Sequence, residues 1–286
     1  MNLVAGLPAS PSLFRSILLG VTLLVSAVFL SIASAAEAIK KHLTPCDISY
    51  PSDAMIEWEC RTLRSGESLE KMFRDDWIDV ARFNRIDRRH THAGVSIKVP
   101  RRINDLKFFH PLPLFYSPAE QDEQFILIDL SEQFLGAYAY GMLIIDIPIS
   151  SGNVAAETPS GEFRVTAAHR SHQSCLYMIE GTNRPYPMNY ALRFYVDRGG
   201  VSYWIHGRDL PGYAASHGCI GLYDEPMQKE QYGIPQDPKL NDAKRLFVWV
   251  LGGEPEGDHL IPLLHGPRVQ IIGHSPGPKT EASTPR

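Results

Sequence analysis

Between Gln124 and Ile147 three short apolar segments follow one another: Gln124–Leu130, Phe134–Ala139 and Met142–Ile147, divided only by polar or glycine-containing breaks. Short runs rich in Ile, Leu, Phe and Tyr and bounded by turn residues predict β-strands. Later stretches repeat the pattern. Thr158-Pro-Ser-Gly161 is a turn ahead of the alternating Glu162–Thr166, and Tyr190–Val196 with Val201–His206 flank Gly199-Gly200 as a hairpin. Arg268–Ile272 predicts a last strand, whereas Asp242–Val250 opens on a capping residue and predicts a helix. Gly 22 and Pro 22 suit a turn-rich chain better than a helical bundle. The expectation is a mainly β domain over residues 124–272 with few helices.

The N-terminus speaks to compartment. Met1–Arg15 carries a single, positive charge, and the apolar run Ile17–Ile32 leads to Ala33-Ser34-Ala35-Ala36. A positive start, an apolar middle and a small-residue A-x-A site are the parts of a secretory signal, assigned to residues 1–35. The run is shorter than the ~20 residues that span a bilayer core; an uncleaved anchor is the alternative. The expected location is the periplasm or cell envelope, with membrane contact only through this segment. Export permits disulfides, and Cys46 with Cys60, close in sequence, is the preferred pair. A formal net charge of −4 gives no global basic field and argues against a nucleic-acid partner. From Ser275 the prolines without an apolar run predict a disordered tail, 275–286.

Residues 57–103 hold 11 Lys+Arg against 8 Asp+Glu, while the rest of the exported chain is acidic. That asymmetry predicts two units with different surfaces. In the first, Ser65 or Ser68 caps a short helix over Leu69–Phe73. Trp77, Val80, Ala81 and Asn84 share one face of a second helix, and Val95–Val99 alternates as a strand, completing β-α-α-β. Ser65-Gly-Glu-Ser-Leu69, Phe83-Asn-Arg-Ile86 and Gly94-x-x-Ile97-x-Val99-Pro100 resemble the lysin motif, a small peptidoglycan-binding module. A structural cap without glycan affinity is the other reading.

The chemistry concentrates in Ile205–Leu222. Cys219 lies between Gly218 and the apolar Ile220, at a bend before a buried strand or helix start. A neutral thiol becomes a nucleophile when a neighbouring imidazole takes its proton. His206 ends a strand and is held rigidly, and the loop after it returns Cys219 beside it. Glycine at 218 lets the N–H groups of 218 and 219 approach a carbonyl oxygen, as an oxyanion site requires.

His206-Gly207 followed by Ser216-His217-Gly218-Cys219-Ile220 resembles the active-site motif of the L,D-transpeptidases, and Thr158-Pro-Ser-Gly-Glu-Phe163 is similar to a turn of the same domain. The resemblance implies an L,D-transpeptidase-like β-sandwich with Cys219 as nucleophile and His206 as general base. It implies further that the Gly207 carbonyl orients the imidazole, that His217, Gly218 and Cys219 shape the oxyanion site, and that Ser216 supports the loop. The substrate would be a peptidoglycan stem tetrapeptide: the thiolate attacks the carbonyl before the terminal D-Ala, and an amine of a second stem resolves the thioester. Where the family usually has Arg or Asn, this chain has Gly221, and Arg208 and Arg193 are candidates to supply the polar contact. Ser216, Arg208, Arg193, Met188 and Tyr186 are the candidate substrate-binding residues.

Other readings remain beside this one. Water as acceptor makes a carboxypeptidase, and loss of activity leaves a wall-binding protein. A zinc centre from His169, His172, His206, His217 and Cys219 lacks the usual paired ligand spacing, so neither metal nor cofactor is expected. Cys175 reads as a plain thiol, His90-x-His92 as a solvated turn, and Trp204 and Tyr190 as ordinary packing.

Overall fold

A computed structural model describes residues 43–179 and 181–278. The signal expected at 1–35 lies outside the described residues. β1 (Trp58–Thr62) and β2 (Ser96–Pro100) pair antiparallel, with α1 (Leu69–Phe73) and α2 (Trp77–Asn84) between them. Ser68 Oγ accepts the Lys71 N–H at 3.3 Å, which caps α1. Trp77, Val80, Ala81 and Asn84 are buried along one face of α2, as their spacing requires. Asn84 ties that helix to β2: its Nδ2 donates to Lys98 O at 2.8 Å and its Oδ1 accepts Lys98 N–H at 2.7 Å. A disulfide joins Cys46 to Cys60, Cα atoms 6.0 Å apart, and fastens the preceding segment to β1.

Downstream come β3 (Phe125–Asp129), β4 (Phe134–Ala139), β5 (Met142–Pro148), β6 (Gly161–Arg164) and β7 (Ala167–Met178). They are followed by β8 (Pro185–Val196), β9 (Ser202–Arg208), β10 (Ile220–Tyr223), α3 (Glu225–Tyr232) and α4 (Asp242–Leu251). Last are β11 (Ile261–Pro262) and β12 (Arg268–Ile272). One sheet has the order β5-β4-β3-β12-β6 and the other β10-β9-β8-β7-β11. The architecture is mainly β.

Facing side chains of the two sheets make the principal core. Ile126, Ile128, Leu135 and Ile147 meet Leu192, Phe194, Ile205, Ile220 and Leu222, with Leu246, Phe247 and Val250 of α4 closing it. Each such side chain contributes about 1.5–3 kcal/mol on leaving water. A second core joins Phe125, Leu127, Phe134 and Tyr138, on the back of the first sheet, to Leu69, Val80, Phe83 and Ile97 of the β-α-α-β unit. β3 is an unbroken apolar run because it is covered on both faces.

Three elements were not anticipated: β7, α3 and the two-residue β11. The tail also needs correcting at its start. Ser275 is buried, its Oγ donating to Gly152 O at 2.9 Å and lying 2.8 Å from Ser151 Oγ, and Pro278 bridges Ile48. Disorder from residue 275 therefore does not hold for Ser275–Pro278, and residues 279–286 lie outside the described residues.

Candidate active site

β9 and β10 run parallel, with Ile205 opposite Ile220 and His206 opposite Gly221. Side chains alternate across a strand, so Ile205, Ile220 and Leu222 enter the core and the intervening positions face the other way. On that second face Trp204, His206 and Arg208 stand beside Cys219 and Gly221. The crossover that a parallel pair requires is the segment between β9 and β10, which carries Ser216–Cys219.

His206 is almost fully buried, 2% exposed. Its Nδ1 lies 2.8 Å from Gly207 O; a carbonyl only accepts, so Nδ1 bears the proton and Nε2 keeps its lone pair. Burial depresses the pKa to about 3 against the usual 6.5, and the nearby Arg208 lowers it further, although the Gly207 bond works the other way. His206 is thus a neutral imidazole. Burial raises the Cys219 thiol, offset in part by a Trp204 backbone bond and by the Arg208 charge. Burial thus favours the neutral form of both groups, thiol and imidazole.

The loop that carries Cys219 is braced from inside. Ser216 is fully buried; its Oγ accepts the Gly218 N–H at 3.0 Å and donates to Cys219 O at 2.5 Å. This corrects two expectations. Ser216 is too buried to bind substrate, and of the two N–H groups expected at an oxyanion site that of Gly218 is engaged by Ser216. Gly218 itself has φ +116° and lies where a Cβ would come within 2.6 Å of the Tyr203 ring, so only glycine fits. Thr158 completes the brace: its Oγ1 donates to Gly218 O and accepts the Gly152 N–H, both at 2.9 Å.

The YkuD family model, the L,D-transpeptidase catalytic domain, matches residues 123–271. The chain belongs to this family. Among solved structures, an L,D-transpeptidase from Stackebrandtia nassauensis is 19% identical over 52% of this chain and 55% of that one, TM-score 0.34. L,D-transpeptidase 1 from Mycobacterium tuberculosis is 17% identical over 52% and 62%, TM-score 0.33. A fragment from Xylanimonas cellulosilytica is 21% identical over 74% and 98%, TM-score 0.43. The match thus covers little more than half of the first of these chains. No curated protein matches this chain.

In this L,D-transpeptidase-family domain a cavity of about 720 Å³ opens over the thiol, lined by Cys219, His206, His217, Arg208, Met188 and Tyr186 among others. His217 is exposed and stacks on Tyr177, ring centroids 4.4 Å apart. Gly207 must be glycine, because a Cβ there would meet the Asp224 Cβ at 2.7 Å. Arg208 and Gly221 are matched in the same way: a Cβ at 221 would sit 2.6 Å from Arg208 Cδ, so the glycine makes room for the arginine stem. Arg208 Nη2 donates to Ala215 O at 2.8 Å, and its buried Nε has no hydrogen-bond partner among the described residues.

Arg193 reaches the site only by way of Trp204, its guanidinium 5.8 Å from that ring's centroid. Its Nε donates to Thr166 Oγ1 at 3.1 Å and it does not line the cavity. Trp204 packs on Met188 and Ala191 yet also lines the cavity, whereas Tyr190 turns to the main core against Phe247. Cys175, read as a plain thiol, is exposed on β7 and borders the same cavity. His169 and His172 have Nδ1 atoms 3.2 Å apart; no group of three or more His, Cys, Asp or Glu able to hold a metal occurs among the described residues. Sequence reasoning missed Thr158 as a brace, although its turn was singled out, and missed Asp224, whose carboxylate caps α3 at Met227 N (3.1 Å) while crowding Gly207.

Proposed function

We propose that the chain is a cysteine-dependent L,D-transpeptidase acting on peptidoglycan stem tetrapeptides. The observation that carries this is a neutral His206, fixed by Gly207, on the sheet face that bears Cys219 under an open cavity. His206 Nε2 takes the Cys219 proton as sulfur attacks the carbonyl between the L-centre of the diamino acid and the terminal D-Ala. The Cys219 N–H steadies the oxyanion. The imidazolium returns its proton to the departing D-Ala amine, leaving a thioester. A side-chain amine of a second stem then attacks, His206 accepts its proton, and the thiol is restored. No step calls for a metal or cofactor.

The β-α-α-β unit at 57–103 supports a lysin-motif-like role in holding the enzyme to the wall glycan. A periplasmic or envelope location agrees with the N-terminal pattern and with the substrate. The test is product analysis with a disaccharide-tetrapeptide, comparing the chain with its Cys219→Ala variant. D-Ala release with a cross-linked dimer, absent in the variant, is the expected result. D-Ala release without dimer would make it a carboxypeptidase, and an unchanged substrate with a reactive thiol would leave a wall-binding protein.

A further inference from the structure

Arg89 and His90 belong to the β-α-α-β unit, yet they line the same cavity as Cys219 and His206. The unit meets the catalytic face directly: Tyr223 of β10 donates its hydroxyl toward Ala81 O and Ile86 O at 3.1 and 2.9 Å. The turn carrying Arg89 is then locked by the buried Asp87. Asp87 Oδ2 accepts Leu210 N–H and Gln228 Nε2, each at 2.6 Å, while Oδ1 lies 2.7 Å from His90 Nδ1. Asp87 N–H donates to Leu210 O at 2.8 Å, and Ile86 bridges Pro211. This corrects the reading of His90 as part of a solvated turn.

Arg88 is used for structure, paired with Glu70 at 2.9 Å and Glu225 at 2.6 Å. Arg89 differs. Its guanidinium lies 4.0 Å over the Tyr232 ring and reaches Asp209 only through Nη1 at 3.4 Å. Its Nε and Nη2 make no hydrogen bond among the described residues. The cavity's ionised lining is therefore two guanidiniums, Arg89 and Arg208, against the single carboxylate of Asp209. Burial opposes charge on His90, but the Asp87 carboxylate outweighs it and raises its pKa. In a chain of net charge −4 this lining is locally positive, which selects for an anionic ligand.

We propose that Arg89, backed by His90, forms a carboxylate-binding end of the catalytic cleft, so that the small unit reads an acidic peptide whose reacting carbonyl lies at Cys219. The inference rests on the acyl-transfer reading above. A guanidinium with unused donors suits a carboxylate in two-pronged contact.

The test uses the full chain and two donor peptides, one with free carboxylates and one with those carboxylates amidated, the scissile bond unchanged. Wild type is expected to prefer the acidic peptide by about tenfold in kcat/KM, the effect of one charge-assisted contact. Arg89→Gln should abolish that preference through KM, with kcat nearly constant, and Arg89→Lys should restore part of it. Wild-type turnover without any preference overturns the proposal and needs no variant to be folded. A preference that survives Arg89→Gln, or one lost through kcat alone, overturns it as well. Absence of turnover on both peptides removes the acyl-transfer reading and this inference with it.

Discussion

Thr158→Val keeps the shape of the side chain and deletes the hydroxyl that braces the loop carrying Cys219. Thr158 is 3% exposed, and its Oγ1 serves two backbone groups, Gly218 O and Gly152 N–H, at 2.9 Å each. Leaving a buried polar group unpaired costs about 1–3 kcal/mol, so leaving both partners unpaired should destabilise by about 2–6 kcal/mol. Thr158→Ser keeps the hydroxyl and gives up one buried methyl, about 0.8 kcal/mol. Urea unfolding at constant m value measures both. Turnover should fall further than stability alone explains, because the Gly218 carbonyl belongs to the peptide bond that enters Cys219. Small misplacements of a reacting group can cost about 100-fold. The reasoning is refuted if Thr158→Val unfolds within about 0.5 kcal/mol of wild type with turnover intact, or if Thr158→Ser is equally damaging.

His206 has a folded pKa of about 3 against 6.5 when unfolded, so the unfolded chain binds the extra proton between those values. Stability from this group is complete above pH 6.5 and is lost on acidification toward 3, by about 4–5 kcal/mol; His206→Gln should flatten the pH dependence of unfolding in that window. Burial raises the Cys219 thiol while Arg208 lowers it. In a Cys175→Ser background, alkylation of Cys219 should therefore titrate above an ordinary thiol, and Arg208→Ala should move the midpoint higher; a midpoint unchanged or lower contradicts the assignment. Replacing Cys46 and Cys60 by serine frees a loop of sequence separation 14 and should cost about 3 kcal/mol in urea unfolding.

Local patterns made some of this legible. β4 spans Phe134–Ala139 and β12 spans Arg268–Ile272, where the apolar residues and the breaks around them placed strands. α2 occupies Trp77–Asn84 because its buried face repeats at helical spacing. β7 escaped notice because His169-Arg-Ser-His-Gln-Ser174 has no apolar alternation; much of this strand is exposed and its ladder partner, not a core, holds it. α3 has little apolar face, yet Asp224 as cap with Pro226 in the first turn could have marked its start. Cys219, His206 and the Gly207 carbonyl could be named through the resemblance of His206-Gly207 and Ser216–Ile220 to a family motif, and His206 Nδ1 does lie 2.8 Å from Gly207 O. The engagement of Gly218 N–H by Ser216 turns on a rotamer, and the burial of Asp87, which holds His90, turns on Leu210 and Gln228, far along the chain. Neither leaves a mark in local sequence.

The most direct measurement is intact mass of the chain after mixing with a stem tetrapeptide, in wild type and Cys219→Ala. The account predicts a covalent adduct equal to the tetrapeptide acyl group without its terminal D-Ala, located at Cys219, released by an added amine and missing from the variant. Turnover of the tetrapeptide by Cys219→Ala, or no adduct and no D-Ala release from a wild-type chain whose thiol still alkylates, would contradict it.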